Sequence, residues 1–257
     1  MTLFDMDGKT AVITGSTKGI GKAIAERMAE HGANVVVSSR KADACEAVAA
    51  DINENWAKNG NKAVPIPCHI GHKEQLQQLV DRSTETFGKI DVLVCNAAVN
   101  PYFGPSKDIP DEAFDRIMDC NIKSNFWLCN MVVPQMIDRK DGSIIIVSSI
   151  GGFKGSPSLG AYGISKAADM QLARVLAVEY GPHNVRANAI APGLIRTDFA
   201  RALWEDPDNL KKRTATTPLR RIGESDEIAG VAVMLATKAG SFLTGQTITV
   251  DGGIRVA

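Results

Sequence analysis

The sequence predicts an α/β protein, and two observations support this fold class. Short apolar runs rich in β-branched residues recur along the chain, which is typical of strands buried on both faces of a sheet. Longer stretches with helical spacing of apolar residues separate these runs. Such alternation favours parallel strands joined by right-handed crossovers. We therefore predict one Rossmann-like, doubly wound parallel sheet with helices on both faces.

The predicted elements follow from these two patterns. Strands are predicted at residues 11–14, 34–38, 63–66, 91–95, 143–148, 185–190 and 247–250. Helical spacing is clearest at residues 21–31, 73–87, 112–136 and 161–180. The sequence contains no linker, low-complexity tract or repeat, so we expect a single domain over residues 1–257. Two irregular stretches, 96–110 and 191–219, follow strand carboxyl ends, where ligands bind in such sheets.

Charge and cysteine content limit the partners and the compartment. The 29 Lys and Arg residues balance 29 Asp and Glu residues, so nothing favours a nucleic acid or an anionic membrane as a partner. Five cysteines without a CxxC pair fit a reducing compartment. The N-terminal segment lacks the pattern of an export signal, and no apolar segment is long enough to span a bilayer. We expect a cytoplasmic protein that acts on small molecules.

A glycine-rich turn, TGSTKGIG at residues 14–21, follows the first predicted strand and leads into an amphipathic helix. Glycine lets the backbone approach a pyrophosphate, and the free N–H groups of the helix start favour its charge. The spacing differs from GxGxxG, and such turns also arise for steric reasons alone, so both interpretations stay open. The candidate cofactor-binding residues here are Gly15, Ser16, Thr17, Lys18, Gly19, Ile20 and Gly21.

The end of the second predicted strand bears on the choice of cofactor. The segment SSRK at residues 38–41 stands where a NAD-selective protein usually offers a carboxylate to the adenosine ribose. Ser39 and Arg40 can instead contact a 2′-phosphate, and Lys18 can add a second cation. Alternatively, Arg40 and Lys41 are solvated surface charges. We expect NADP(H), and NAD(H) is the alternative.

Tyr162 and Lys166 stand four residues apart at the start of a predicted helix, so their side chains share one face. Ser149 directly follows the preceding predicted strand, which brings a third reactive group to the same sheet edge. A phenol ionises only near pH 10 in water, and a neighbouring ammonium stabilises the phenolate. We predict that Tyr162 is a general acid/base, Lys166 its charge partner and Ser149 a hydrogen-bond donor to a substrate carbonyl. A surface tyrosine beside a solvated lysine is the alternative.

These motifs, in this order, resemble those of the short-chain dehydrogenase/reductase family over essentially the whole chain. TGSTKGIG resembles the family's TGxxxGxG turn, and CNAA at residues 95–98 resembles its NNAG segment. Asn121, Ser149, Tyr162 and Lys166 match its catalytic Asn, Ser and YxxxK positions. Several independent motifs make the resemblance specific.

The resemblance implies hydride transfer between a nicotinamide cofactor and a carbonyl or alcohol, without a metal ion. Tyr162 would protonate the carbonyl oxygen, and Ser149 would orient the substrate. Lys166 would stabilise the phenolate and hold the nicotinamide ribose, and Asn121 would hold a water in a proton relay to Lys166. The further cofactor contacts that it implies are His69, Ile70, Asn96, Ala97, Ala98, Pro192, Gly193, Ile195 and Thr197.

Two positions depart from the family pattern. Ala98 stands where the family usually has Gly, which tightens the backbone approach to the adenosine ribose. His69 stands where the family often has an Asp that contacts adenine, and imidazole offers different donors and acceptors. His69 as a half-exposed surface residue is the alternative.

The segments NAAVNP at 96–101 and APGLIRT at 191–197 resemble the NADP-dependent carbonyl/retinal reductase subgroup known from peroxisomes, which implies an aldehyde or ketone reductase. The C-terminal residues IRVA are not a peroxisomal address. Reductases of 3-oxoacyl thioesters, carried on acyl carrier protein or CoA, share the catalytic residues and are the alternative. A non-enzymatic dinucleotide sensor would show a broken catalytic set, whereas all four positions are present here.

Mostly apolar segments are expected to converge over the nicotinamide and to bind a hydrophobic carbonyl substrate. The candidate substrate contacts are Ser149, Asn100, Phe103, Phe153, Leu159, Phe199 and Trp204. The stretch 191–219 would form the substrate side and act as a lid. Alternatively, Phe199, Leu203 and Trp204 pack on the core or on a neighbouring subunit. The resemblance also implies a homo-oligomer, commonly a tetramer, joined through helices within 111–136 and 158–180 and near the C-terminus.

Overall fold

The computed structural model describes residues 2–58 and 60–257. In this part of the chain, seven parallel strands form one sheet in the order β3-β2-β1-β4-β5-β6-β7. The strands are β1 (Thr10–Thr14), β2 (Asn34–Ser38), β3 (Ala63–Pro65), β4 (Val92–Cys95), β5 (Gly142–Val147), β6 (Val185–Pro192) and β7 (Thr247–Val250). The parallel Rossmann-like sheet is therefore confirmed.

Helices connect the strands and cover the sheet. The α-helices of the described residues are α1 (Gly19–Glu30), α2 (Ala42–Asn55), α3 (Lys73–Phe87), α4 (Asp111–Met118), α5 (Ser124–Arg139), α6 (Gly160–Tyr180), α7 (Arg201–Trp204), α8 (Pro207–Thr214) and α9 (Ser225–Ala236). A π-helical turn, Asp119–Lys123, joins α4 to α5. None of the described helices combines the length and the apolar character needed to cross a membrane.

The sheet has a buried apolar cluster on each face, because successive side chains of a strand point to opposite sides. Ile13 and Val37 face the cluster covered by α1, α2 and α9. Val12 and Val36 face the cluster covered by α3, α5 and α6. The strands are therefore apolar at nearly every position, which explains why continuous apolar runs predicted them correctly.

The structure refines the predicted elements at several places. Helices α2 and α9 were not singled out from the sequence. The helical stretch predicted at 112–136 is interrupted by the π turn, and the segment after β6 contains the short helices α7 and α8 rather than being irregular throughout. Strand β6 runs two residues further than predicted, to Pro192.

The strand order reverses direction between β1 and β4. From β1 the chain builds outward to β3, then crosses back so that β4 pairs with the other edge of β1. In open α/β sheets the carboxyl ends of the strands form a crevice at such a switch point. The connecting loops therefore bring distant parts of the chain together here.

Candidate active site

A cavity of about 1320 Å³ lies along the carboxyl ends of the central strands. The glycine-rich turn after β1 and the segment after β4 line one part of it. Ser149, Tyr162 and Lys166 line the middle, and loop residues after β6 line the remainder. A dinucleotide and a small substrate can therefore share one continuous space.

The glycine-rich turn has the geometry that a phosphate requires. Gly15 and Gly19 have φ values of 65° and 55°, a region that side chains other than glycine rarely adopt. A Cβ atom at Gly21 would lie only 2.4 Å from the carbonyl oxygen of Gly15. Helix α1 starts without a side-chain cap, so the N–H groups of its first turn have no side-chain partner. These groups lie at the end of the helix that meets the cavity, where they can bind an anion. The cradle therefore fits the pyrophosphate of a dinucleotide.

Asn96 fastens this turn to the end of β4. Its Nδ2 donates to the carbonyl oxygens of Thr14 at 2.9 Å and Gly15 at 3.1 Å. Asn96, Ala97 and Ala98 line the cavity as predicted. Asn96 thus holds the backbone of the glycine-rich turn in place.

Ser16 lies elsewhere than the sequence analysis expected. It is fully buried and does not line the cavity. Its Oγ donates to the carbonyl oxygen of Ile13 at 2.8 Å and accepts from the backbone N–H of Ser38 at 2.9 Å. The side chain therefore ties the ends of β1 and β2 together instead of facing a cofactor.

The residues expected to contact the adenosine part of a cofactor lie at the same cavity. Ser39, Arg40, His69 and Ile70 line it. Within residues 2–58 and 60–257, the side chain of Arg40 forms no hydrogen bond or ion pair, so its guanidinium is available to an anion. Lys18, expected to assist Arg40, instead lies 3.5 Å from Asp198 across the cavity.

His69 has an unexpected partner in Arg116. The Arg116 Nη2 atom lies 3.1 Å from His69 Nε2, and the N–H of Gly71 donates to His69 Nδ1 at 3.1 Å. Burial lowers the pKa of His69, and the charges of Arg116, His72 and Arg40 lower it further. Arg116 reaches the cavity from α4 and was not identified from the sequence, because only the folded chain brings it to His69.

Ser149, Tyr162 and Lys166 come together in the cavity as predicted. A methyl group built on Gly151 would lie 3.4 Å from Ser149 Oγ and 3.9 Å from Tyr162 Cε1, so both side chains flank the same glycine. Lys166 Nζ lies 5.8 Å from the centre of the Tyr162 ring. Ser149 Oγ accepts from the N–H of Gly151 at 3.1 Å, which leaves its hydroxyl proton free to donate.

Lys166 is anchored by a buried ion pair. Its Nζ donates to the carbonyl oxygen of Val147 at 2.9 Å and to Asp169 Oδ2 at 2.9 Å. Both side chains of the ion pair are at most 2% exposed. Burial lowers the pKa of Lys166, but the charges of Asp169 and Tyr162 outweigh it and leave the pKa raised. Burial raises the pKa of Asp169, against the opposing effects of Lys166 and Asn125.

Asn121 lies behind the cavity and does not line it. It belongs to the π turn, a feature often found near functional sites. Its Oδ1 accepts from the N–H of Val99, and its Nδ2 donates to the oxygens of Val99 and Ser165. The side chain therefore fixes the loop after β4 to helix α6.

The segment after β6 lies against the glycine-rich turn. Pro192, Gly193, Ile195 and Thr197 all line the cavity. The Cγ2 atom of Thr197 lies 3.1 Å from the Cβ position of Gly19. Thr197 also caps the short helical turn that follows it by accepting from the N–H of Ala200. The segment thus forms the part of the cavity wall that adjoins the glycine-rich turn.

The predicted substrate contacts divide into two groups. Asn100, Phe103, Leu159 and Phe199 line the cavity, and the rings of Phe199 and Tyr162 lie 6.1 Å apart. The cavity lining does not include Phe153 or Trp204. The Phe153 ring is covered by the Arg255 guanidinium, 3.7 Å away, and Trp204 Nε1 donates to the carbonyl oxygen of Thr197.

Further lysine and arginine residues border the cavity. They are Lys41, Lys154, Arg213 and Arg221. Lys154 and Arg213 are 59 positions apart in the chain, so only folding brings them to one cavity. Among the described residues, no group of three or more His, Cys, Asp or Glu side chains is arranged to hold a metal ion.

Comparison with known proteins agrees with this site. The family model described as Enoyl-(Acyl carrier protein) reductase matches residues 15–255. Dehydrogenase/reductase SDR family member 4 from Bos taurus is 44% identical over 248 residues, covering 96% of this chain and 88% of the relative. The Homo sapiens protein of the same name is 42% identical and covers 95% of this chain and 87% of the relative.

Solved structures give the same result. A short-chain type dehydrogenase/reductase from Mycobacterium marinum superposes with a TM-score of 0.91 at 37% identity, covering 99% of this chain and 98% of the other. A 7α-hydroxysteroid dehydrogenase complexed with NADH and 7-oxo glycochenodeoxycholic acid has a TM-score of 0.91 at 36% identity, covering 98% and 96%. A putative NAD(P)-dependent gluconate 5-dehydrogenase from Beutenbergia cavernae with bound NADP has a TM-score of 0.92 at 30% identity, covering 100% of both chains.

The fold, the site and these matches define an oxidoreductase that acts on CH–OH groups. This chain belongs to the short-chain dehydrogenase/reductase family, whose members use NAD(P).

Proposed function

We propose that the protein is an NADP(H)-dependent reductase of apolar aldehydes and ketones, with Tyr162 as the general acid/base. One observation carries the proposal: Ser149, Tyr162 and Lys166 line the same cavity as the glycine-rich turn, with Ser149 and Lys166 both near Tyr162. A carbonyl oxygen placed there meets two hydroxyl donors, with an ammonium group behind them. This set of groups suits proton transfer to a developing alkoxide.

The choice of NADP(H) rests on the adenosine end of the cavity. Arg40 is exposed and forms no ion pair in the described part of the chain, so it can bind a 2′-phosphate. No acidic side chain follows β2 at residues 39–41 to accept the ribose hydroxyls of NAD. The guanidinium of Arg116, next to the imidazole of His69, adds positive charge at this end of the site. NAD(H) is the alternative cofactor.

The protein's own groups perform the proton chemistry in this proposal. When bound, the cofactor supplies the hydride, and Ser149 hydrogen-bonds the substrate carbonyl oxygen. Tyr162 donates its hydroxyl proton to that oxygen, and the Lys166 ammonium stabilises the phenolate left behind. Asn121 fixes the adjoining loop and is proposed to hold a water that relays a proton to Lys166. Reversing these steps oxidises an alcohol.

The substrate class follows from the lining of the cavity. Phe103, Leu159 and Phe199 present apolar surface beyond Tyr162. Burying such surface against a substrate favours hydrophobic carbonyl compounds by roughly 25 cal/mol per Å² of apolar area. We propose that the segment 191–219 forms this side of the pocket and closes over the substrate.

Reduction of 3-oxoacyl thioesters is a second candidate, and a separate observation favours it. Lys154 and Arg213 line the same cavity. Thioesters of CoA or acyl carrier protein bear phosphate groups that such cations bind. A sensor that binds the dinucleotide without turnover is the remaining alternative.

The proposal is tested by following NADPH and NADH oxidation at 340 nm with aldehydes, aromatic ketones, diketones and 3-oxoacyl thioesters. We expect turnover with NADPH on apolar carbonyl compounds. A preference for thioesters would support the second candidate, and a preference for NADH would contradict the cofactor assignment. Tight cofactor binding without turnover on any compound would favour the sensor.

We further propose a cytoplasmic homotetramer built from single-domain chains spanning residues 1–257. Exposed apolar side chains on the helices expected at the interfaces support the assembly. They are Phe114, Phe126, Ile164, Val175 and Val178. All five cysteines are free and buried, which suits a reducing compartment. Light scattering at micromolar concentration tests the assembly, and a monomer would contradict it.

A further inference from the structure

A carboxylate lies directly behind the Lys166 ammonium. Asp169 follows Lys166 by three residues on α6 and is fully buried. Its Oδ2 accepts from Lys166 Nζ, and its Oδ1 accepts from Asn125 Nδ2 at 3.0 Å. An unpaired charge at this depth would be strongly unfavourable, so each member of the ion pair requires the other.

The contacts of Lys166 leave one of its three N–H groups for the active site. One donates to the carbonyl oxygen of Val147 and another to Asp169. Because these two partners fix the ammonium on the protein side, the third N–H is left for the cavity that Lys166 lines together with Tyr162. Asp169 therefore restricts both the position and the direction of this group.

The carboxylate is itself held from α5. Asn125 Nδ2 donates to Asp169 Oδ1 and, at 2.6 Å, to the backbone carbonyl oxygen of Asn121. Asn121 belongs to the π turn that precedes α5. One side-chain amide thus connects the turn bearing Asn121 to the partner of Lys166.

We propose that Asp169 is a positioning residue, which keeps Lys166 protonated and aims its remaining N–H at the cofactor ribose and Tyr162. This inference rests on the proposed function for the part that concerns proton transfer. Asp169 touches neither the substrate nor the reacting atoms, and it acts only through Lys166.

The other groups around Lys166 do not supply the same charge. Tyr162 and Cys95 are the remaining titratable groups whose charges act on it. The hydrogen bond between the sulfur atoms of Cys95 and Cys129, 4.0 Å apart, raises the pKa of the Cys95 thiol, and burial raises it further, so this thiol is neutral. Tyr162 must carry its proton to act as an acid. Asp169, in contact with Lys166 Nζ, is therefore the charged group that offsets the burial of Lys166.

The test compares Asp169→Asn with the wild type from pH 6 to pH 10.5. NADPH affinity is measured by fluorescence titration and kcat/KM by oxidation at 340 nm. Without the anion, burial lowers the pKa of Lys166 below the ordinary lysine value of 10.5. We expect affinity and kcat/KM to fall with rising pH at least about 1 pH unit earlier than in the wild type.

Two matched variants separate positioning from general damage. Asp169→Glu keeps the negative charge and should move the profile back towards that of the wild type. Asp226→Asn makes the same chemical change in the ion pair between Asp226 and Arg27, at the surface and away from the cavity, and should leave the profile unchanged. A folded Asp169→Asn protein with the wild-type profile would overturn the inference.

A further variant covers the case in which Asp169→Asn does not fold. Asn125→Ala keeps the ion pair but removes the donor that holds the carboxylate, so a smaller shift in the same direction is expected. An unchanged profile in folded Asn125→Ala would then overturn the inference. If the wild type turned over no carbonyl compound, the proposed function would fail, whereas the pH profile of cofactor affinity would still test Asp169. That titration uses NADPH or NADH, whichever binds the wild type more tightly.

Discussion

The side-chain amide of Asn96 donates to the carbonyl oxygen of Gly15 over 3.1 Å, joining the end of β4 to the glycine-rich turn after β1. Gly21 packs against both groups. A Cβ atom there would lie 2.4 Å from Asn96 Nδ2 and 2.4 Å from the Gly15 carbonyl oxygen. The turn consequently has no space for a side chain at residue 21.

Gly21→Ala should therefore damage both the fold and cofactor binding. We expect a loss of about 1–3 kcal/mol in unfolding free energy, the usual cost of overpacking, measured by urea denaturation. NADPH affinity should fall at least about tenfold, because the turn must open. Gly230→Ala is the control: this exposed glycine of α9 has open space around its Cβ position, so alanine should stabilise the helix by about 1 kcal/mol. Equal effects of the two substitutions would contradict the packing argument.

Tyr162→Phe should remove turnover and leave cofactor binding nearly intact. The substitution deletes the proton donor and keeps the ring that packs near Phe199. Loss of a general acid costs about 10²–10⁴ in rate, which stopped-flow measurement of NADPH oxidation would detect. A fluorescence titration provides the companion measurement of NADPH affinity. Retained turnover would show that another group donates the proton.

Arg40→Ala should discriminate between the two cofactors. Losing a charge-assisted hydrogen bond to a 2′-phosphate costs roughly 1.5–3 kcal/mol, so the KM for NADPH should rise about tenfold or more. The KM for NADH should change little, since NADH lacks that phosphate. Arg82→Ala, at an exposed position of α3 outside the cavity, should affect neither constant. If both cofactors were weakened equally by Arg40→Ala, the preference for NADP(H) would lose its basis.

Glu227 should make the start of α9 sensitive to acid. Hydrogen bonds from Arg221, and then from the N–H of Glu224, lower the pKa of Glu227 to about 2. Because the folded pKa lies below the ordinary value of 4.5, this stabilisation is complete above about pH 4.5 and is lost as the pH falls towards 2.

Glu227→Ala should accordingly lower the unfolding free energy at pH 7. We expect a loss of about 1 kcal/mol, which is typical for a helix cap, and solvent screening of the exposed charge makes this an upper value. The difference from the wild type should shrink between pH 5 and pH 3 in urea titrations. Glu74→Ala, in the first turn of α3, removes an acid that forms no ion pair among the described residues and should have a smaller effect. A Glu227→Ala penalty that did not change with pH would contradict this account.

Local patterns in the sequence were sufficient for most of the fold. Continuous apolar runs identified all seven described strands, because parallel strands are buried on both faces. They did not identify the π turn at Asp119–Lys123, which interrupts a stretch with unbroken helical spacing. Helix α2 was not singled out either, since its many alanines give a weak apolar stripe.

The site was predicted as far as its motifs extend. Tyr162, Lys166 and Ser149 were found because spacing and strand ends place them together. Asp169 gave no such signal, because an acid on a long helix normally faces solvent, and only the packing of α5 against α6 buries it. Ser16 was expected at the cofactor for the opposite reason: the motif contains it, but its side chain turns inward.

The strand order reverses between β1 and β4, at about residue 90, and the residues that line the cavity come from both sides of this point. Residues before it supply the phosphate turn, Arg40 and His69, whereas residues after it supply Ser149, Tyr162, Lys166 and the substrate wall. The residues proposed to choose between NADP(H) and NAD(H) and those proposed to transfer the proton therefore lie in separate stretches of sequence, although the second stretch also contains expected cofactor contacts at 96–98 and 192–197. A graft between relatives at this point must match the contacts of Asn96, Arg116 and Lys18, which join the two stretches.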